Sequence, residues 1–379
     1  MKRNRWYLAI TLLAAASLLL AACAPAAAPS PTPTKAPAAT PAAGAGAAAP
    51  TPSNAETTAK LYEAAKKEGQ VMAYLVGSQT DWEAFAAAFE KKYPGIKTNG
   101  FTGTSESIRD KVLTEARAGR QVCDIIASTT FEDFLPLQQA GVLDKYQSPE
   151  TAAFDKQLYD PEGYWVLPFS YKMLIDYNTQ AIPKAQAPKS YQDLLKPEFK
   201  GKLGLEANAV PWFTVMLQIL GREKGLDYMR KLADQKPRLV SGHTNLHKLV
   251  VSGEIPISVY NFSRAILEDK LKGAPVDWVG PEEGTPATLQ PALMIKNSPH
   301  PNAARLLMDF LLSAEGGKIR ASQYYIPFRT GVDMLPEVAA QAKVKGPIIT
   351  DPNIGKETAD NEKIFREIFG SLQPTKPSK

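Results

Sequence analysis

Chemistry-bearing side chains are scarce in this sequence. Three histidines and two cysteines serve 379 residues. The sequence contains no Gly-x-Ser-x-Gly, no His-Glu-x-x-His, no phosphate loop and no Gly-x-Gly-x-x-Gly. The common hydrolase, metalloprotease and nucleotide-binding chemistries therefore have no local motif here. The longest neutral apolar run, Leu8 to Leu20, is short of the roughly 20 residues that span a bilayer comfortably. A charge excess of one sign is also missing. The 44 Lys and Arg stand against 39 Asp and Glu, a net charge of +5. Three of those basic residues, Lys2, Arg3 and Arg5, precede the apolar run, and Lys35 is the next one along. From Glu56 onward 40 basic residues face 39 acidic ones. With no basic tract in the body, nucleic acid is disfavoured as a partner. A hydrophobic share of 44% excludes disorder for the bulk of the chain.

What is present begins with an address. A basic end, an apolar stretch and small residues before a cut make residues 1–22 a secretory signal. Its last residues, Leu20-Ala21-Ala22-Cys23, resemble a bacterial lipobox. That resemblance implies diacylglyceryl transfer to Cys23, which cleavage then leaves as the new N-terminus. Acyl chains contribute about 0.8 kcal/mol per buried methylene, enough for anchoring without a spanning helix. Plain secretion, with a cut near Ala22–Ala27, is the simpler alternative. Residues 24–56 hold 14 Ala and 8 Pro among 33. Proline at that density forbids a continuous helix, so residues 23–56 read as a lipidated cysteine on a semi-extended tether. The expected place is the outer face of the bacterial cytoplasmic membrane.

From Glu56 the pattern changes. Val71–Val76, Ile96–Phe101 and Val122–Ala127 have the apolar density of buried strands. Trp82, Phe85, Ala86 and Phe89, and then Ile108, Val112 and Ala116, have helical spacing between and after them. Alternating strands and helices with short connections predict a parallel sheet, whose ligands sit beyond the carboxyl ends of the strands. At those ends stand Ser78, Thr104 with Ser105, and Ser128 with Thr129. Each can be an ordinary helix cap, or part of a polar site with free amides and a positive helix end. A second pattern follows. Ser170–Tyr177, Leu203–Glu206, Ile255–Tyr260 and Leu289–Ile295 are expected strands. Trp212–Leu220, Leu226–Asp234, Ala303–Leu312 and Thr358–Leu372 are expected helices.

From Lys60 to about Val332 the chain resembles the extracellular solute-binding proteins of ABC importers, in the branch that holds ferric-iron-binding proteins. The resemblance rests on Leu61-Tyr62-Glu63-Ala64-Ala65-Lys66-Lys67-Glu68-Gly69, Phe89-Glu90-Lys91-Lys92-Tyr93-Pro94-Gly95-Ile96 and Tyr177-Asn178-Thr179. It rests also on Leu249-Val250-Val251-Ser252-Gly253-Glu254-Ile255-Pro256 and Tyr324-Tyr325-Ile326-Pro327. It implies an α/β, two-lobe periplasmic-binding-protein-like fold, each lobe a mainly parallel sheet flanked by helices, with a ligand cleft between. The expected division puts 57–168 and 283–330 in one lobe, and 169–282 and 331–379 in the other. Iron-binding members coordinate ferric ion with adjacent tyrosines. The matching position here is Tyr260-Asn261, with one tyrosine of the two, so Tyr260 is a metal ligand only if the solute is ferric iron. No resident cofactor is implied.

The remaining candidates have two readings each. Tyr171 and Trp212 serve as ligand contacts or as core. His243 serves as a polar contact or, with His247 one turn on, as half of a metal pair. Cys123 reads as a buried inert thiol, His300 as a loop residue, and Glu282-Glu283 as a solvated pair. The site set is thus Ser78, Thr104, Ser105, Thr129, Tyr171, Trp212, His243, Tyr260 and Asn261. The expected function is a monomeric, lipid-anchored receptor that delivers a small polar or anionic solute to ABC permease subunits by lobe closure. A sensory lipoprotein without transport, or an extracellular hydrolase, are the alternatives.

Overall fold

In the computed structural model the described residues are 54–347 and 354–370. The signal, Cys23 and nearly all of the expected tether lie outside them. Helix α1 (Asn54–Glu68) leads into β1 (Gln70–Leu75), α2 (Gln79–Lys92), β2 (Lys97–Thr102), α3 (Ser105–Arg117), β3 (Ile125–Ser128), α4 (Phe131–Gln139) and β4 (Leu143–Asp144). Then come β5 (Phe169–Asn178), β6 (Leu203–Glu206), α5 (Val210–Leu220), α6 (Arg222–Asp234), β7 (Arg238–Val240), α7 (His243–Val251), β8 (Ile257–Phe262) and α8 (Ser263–Leu271). The chain continues through β9 (Val276–Val279), β10 (Ala287–Leu289), β11 (Leu293–Ile295), α9 (Pro301–Leu312), α10 (Ala314–Ser322), β12 (Ile326–Pro327), α11 (Pro336–Ala342) and α12 (Ile354–Phe369).

Two sheets form two lobes. The first has the order β2-β1-β3-β11-β4, with β2, β1 and β3 parallel and β11 antiparallel to both neighbours. The apolar faces of α2 and α9 cover it. Phe85 and Phe89 meet Phe310 at ring separations of 5.1 and 5.5 Å. Gly100 on β2 lies beneath the Trp82 indole, where a Cβ would stand 1.9 Å from Nε1. The second sheet has a parallel centre, β7-β6-β8, and β8 pairs antiparallel with β5. Strands β9, β10 and β12 add antiparallel pairs along β5.

Strand β5 belongs to both lobes. Phe169 and Tyr171 are buried in the first core, with Leu289 and Tyr325. Ile175 and Tyr177 are buried in the second, with Trp212 and Tyr260. The segment Leu289–Ile295, expected as one strand, is two. β10 ends at Leu289 on β5, and β11 begins at Leu293 on β3. Pro291 explains the break: it has no amide proton for a ladder, and its carbonyl accepts instead from the Thr129 amide at 3.2 Å.

The pairing of β5 with β8 slips once. Leu174 faces Asn261 and Asp176 faces Ser258, so β8 takes one extra residue between Ser258 and Asn261. Such a bulge rotates the side chains that follow it. Here the affected stretch contains Tyr260.

Candidate ligand-binding site

Four helices begin around one cavity of about 460 Å³. They are α3 after β2, α4 after β3, α5 after β6 and α7 after β7. These are carboxyl ends of parallel strands from both lobes, where helix N-termini place a positive partial charge and unpaired amides. The starts of α4, α5 and α7 have no side-chain cap. Thr104, in contrast, caps α3 by accepting from the Ser107 amide at 3.2 Å.

Of the nine candidates, Ser105, Tyr171, Trp212, His243 and Tyr260 line this cavity. Ser78, Thr104, Thr129 and Asn261 stand outside its lining. Ser78 caps α2 through the Asp81 amide at 3.4 Å. Thr129 is fully buried, and its hydroxyl has no hydrogen-bond partner. Asn261 is fully buried behind the wall. Its amide donates to the His243 carbonyl at 3.3 Å and its oxygen accepts from the Phe262 amide at 2.8 Å, fixing the start of α7 against the end of β8.

The wall on the second lobe is a chain of rings. Trp212 lies flat on Tyr260, with 4.9 Å between centroids and 7° between planes. The His243 ring sits 5.1 Å from Tyr260 and 4.1 Å from Phe262. Phe262 reaches Tyr171 at 4.9 Å. Burial pushes the His243 imidazole down to about 4, so at neutral pH it is uncharged. Its Nδ1 is buried without a partner. Burial also pushes the Tyr260 phenol well above its ordinary value.

The sequence did not point to Gln290, Thr288, Arg109, Asp133 or Phe262, all of which line the cavity. Gln290 is 3% exposed and its Oε1 has no partner. It stands in the break between β10 and β11, a place without a local motif. Thr288 faces Tyr171 across the β5–β10 pair, and its own hydroxyl is buried without a hydrogen-bond partner. Arg109 contacts Asp133 at 2.6 Å and Asp110 at 3.0 Å, so its charge is matched before any ligand arrives. Arg109 is one helical turn after Ser105, the one signal available for it.

His247 does not share a ligand with His243. Its Nδ1 lies 2.7 Å from Asp176 and its Nε2 3.1 Å from Asp269. Among the described residues no group of three His, Cys, Asp or Glu has the geometry to hold a metal ion. Cys123 is fully buried, and burial pushes its thiol well up. His300 precedes α9 and anchors on the buried Asp124 at 2.8 Å. Glu283 is not simply solvated, because its carboxylate accepts from the Tyr191 and Gln192 amides at 3.0 and 3.1 Å.

The model of the bacterial extracellular solute-binding protein family matches residues 120–347. The chain belongs to that family. Its fold is that of periplasmic binding proteins of ABC transport. It is similar to the solved structure of AfuA from Actinobacillus pleuropneumoniae with fructose-6-phosphate bound. The TM-score is 0.67 at 22% identity, over 79% of this chain and 98% of that one. Apo ferric ion-binding protein A of Pasteurella haemolytica gives 0.68 at 20% identity, over 81% and 99%. Iron-bound HitA of Pseudomonas aeruginosa gives 0.65 at 21% identity, over 79% and 99%. An uncharacterised protein of Haemophilus influenzae is 24% identical over 272 residues, 69% of this chain and 78% of the relative. The cavity lies beyond the carboxyl ends of parallel strands from both sheets, the usual place for a ligand in open α/β folds.

Proposed function

We propose that this solute-binding protein is a lipid-anchored receptor for a small organic solute with one flat apolar face and a hydrogen-bonding edge. It holds the solute between its lobes and hands it to an ABC permease. The observation that carries this reading is the set of three orphaned polar atoms at the cavity wall, Gln290 Oε1, His243 Nδ1 and Thr288 Oγ1. Buried polar atoms are nearly always partnered, and leaving one unpaired costs about 1–3 kcal/mol. A ligand edge lying against them would remove that cost. Beside them the rings and Met173, Val215 and Pro211 offer apolar surface. The one cationic side chain in the lining, Arg109, is already paired.

Ferric ion fits this lining less well. A phenolate must form at Tyr260, whose proton burial holds tightly, and the ring is pinned under Trp212. The anchor rests on the sequence at Leu20–Cys23.

The test is a thermal-shift screen with thiamine, polyamines, sugars, phosphonates and ferric ion. An organic compound at about 100 times its dissociation constant should stabilise by about 2.7 kcal/mol. A shift from ferric ion alone would overturn the organic-solute reading. For the anchor, palmitate labelling in a bacterial host should mark the wild-type chain and not Cys23→Ser.

A further inference from the structure

Few charged contacts join the two lobes near the cavity. One does so directly. Asp81 lies in the first turn of α2, on the first lobe, and Arg264 in the first turn of α8, on the second. Arg264 Nη2 stands 3.3 Å from Asp81 Oδ2. The guanidinium lies over the Tyr325 ring at 5.2 Å, and the Tyr325 hydroxyl reaches the same Asp81 oxygen at 3.5 Å. The Gln323 side chain donates to the Asp81 carbonyl at 2.8 Å. Both charged side chains are mostly shielded, at 22% and 17% exposure. The pair is also next to the binding wall. Phe262, immediately before α8, packs on both His243 and Tyr171.

Each partner has a second neighbour on its own lobe. Arg264 contacts Glu268 one turn along α8 at 3.3 Å. Asp81 has Tyr325, and the field of the buried Arg320. Parting the lobes therefore strands neither charge. A contact of this kind can break and reform at low cost, because neither ion is left bare in a dry interior.

We propose that Arg264 is a positioning residue for solute capture, latching the second lobe to Asp81 of the first. The latch biases the lobes towards the arrangement in which the α3 and α4 starts face the α5 and α7 starts. It does so whatever the solute is, so it stands or falls apart from the identity of the ligand. Arg264 acts through lobe spacing and has no role here as a contact to the solute.

Double electron–electron resonance on the full chain tests it, with spin labels at Lys67→Cys on α1 and Lys224→Cys on α6, both exposed. Cys23→Ser removes the other reactive thiol, and Cys123 is buried beyond reach of the label. Arg264→Gln and Asp81→Asn should each raise the population with the longer distance, by about fivefold for a well-shielded pair. The double variant should show no more than either single change, the signature of a coupled pair. Raising NaCl from 0.05 to 0.5 M should shift the parent protein the same way but by less than either substitution, because a shielded pair is only partly screened, and should leave the variants unmoved. Unchanged distances in the single variants, or two shifts that add independently, would overturn the proposal. Equal melting temperatures across the set would separate a shift in lobe spacing from simple loss of fold.

Discussion

Trp212 lies flat on Tyr260, and Tyr191 closes the stack from behind by accepting a hydrogen bond from the indole at 3.4 Å. The same two rings are core of the second lobe and wall of the cavity. Truncating Trp212 should therefore strike stability and binding together. Trp212→Ala is expected to cost about 3–5 kcal/mol in urea unfolding, the range for large aromatic truncations. Trp212→Phe keeps a ring and should cost less, while still loosening the wall.

His243 separates the two effects. Its ring is at the surface of the wall and its Nδ1 supports no other group. His243→Ala should weaken the best organic ligand of the screen roughly tenfold, in line with one lost hydrogen bond. Stability should fall by much less than for Trp212→Ala. With the imidazole uncharged above about pH 4, affinity measured by calorimetry should be flat from pH 6 to 8.

The two buried histidines of α7 should tilt stability against pH in opposite directions. Burial depresses His243 to about 4 from its ordinary 6.5, so the unfolded chain binds more protons between those values. Stability should fall as pH drops through that window, and His243→Ala should flatten this acid-side slope. For His247 burial works against charge, but Asp176 and Asp269 outweigh it and raise the value above 6.5. Its contribution is complete below pH 6.5 and fades as pH climbs through the raised value. His247→Ala leaves Asp176 buried without its partner and should cost about 3–5 kcal/mol in unfolding experiments near neutral pH.

Tyr260→Phe discriminates an organic ligand from ferric ion. It should leave binding of the organic ligand within about threefold, because the phenol is buried and the ring is retained. Ferric titration of the parent protein should give no phenolate-to-metal absorption band. A band that Tyr260→Phe abolishes would identify Tyr260 as an iron ligand and refute the geometry argued above.

Gly100→Ala probes the first lobe. The added methyl would meet the indole ring of Trp82, a rigid group at 2% exposure. Overpacking at such a site costs about 1–3 kcal/mol, so a melting-temperature drop is expected with ligand affinity little changed.

The first lobe was the more legible one. Val71–Val76 and Ile125–Ile126 are apolar runs bounded by amphipathic helices, and period alone orders them. The second sheet gathers on β5, whose partners β8, β9, β10 and β12 come from distant parts of the chain. No local period reports such pairings. The site divides in the same way. Ser105, Trp212 and His243 open helices after strands, and that position singled them out. Tyr260 was read as the end of a strand, but it lies inside β8, and the bulge that aims it is a register event between two strands. Gln290 escaped altogether. The apolar pattern runs straight through Pro291 beside it, and nothing nearby says that the segment breaks there and crosses between sheets. Ser78 and Thr104 show the converse, because the same hydroxyls that suit a ligand are consumed by their own helix starts.

Strand β5 is ten residues long, and its two halves are sunk in separate cores. That makes it an axle of roughly 33 Å. An axle of this kind resists stretching and sideways bending through its ladder bonds, and yields most readily to twist. Both lobes are built on this strand, so a turn of one against the other would have to twist it. Cleft width and sheet twist become one variable. A substitution that stiffens β5, far from any solute, should slow both capture and release.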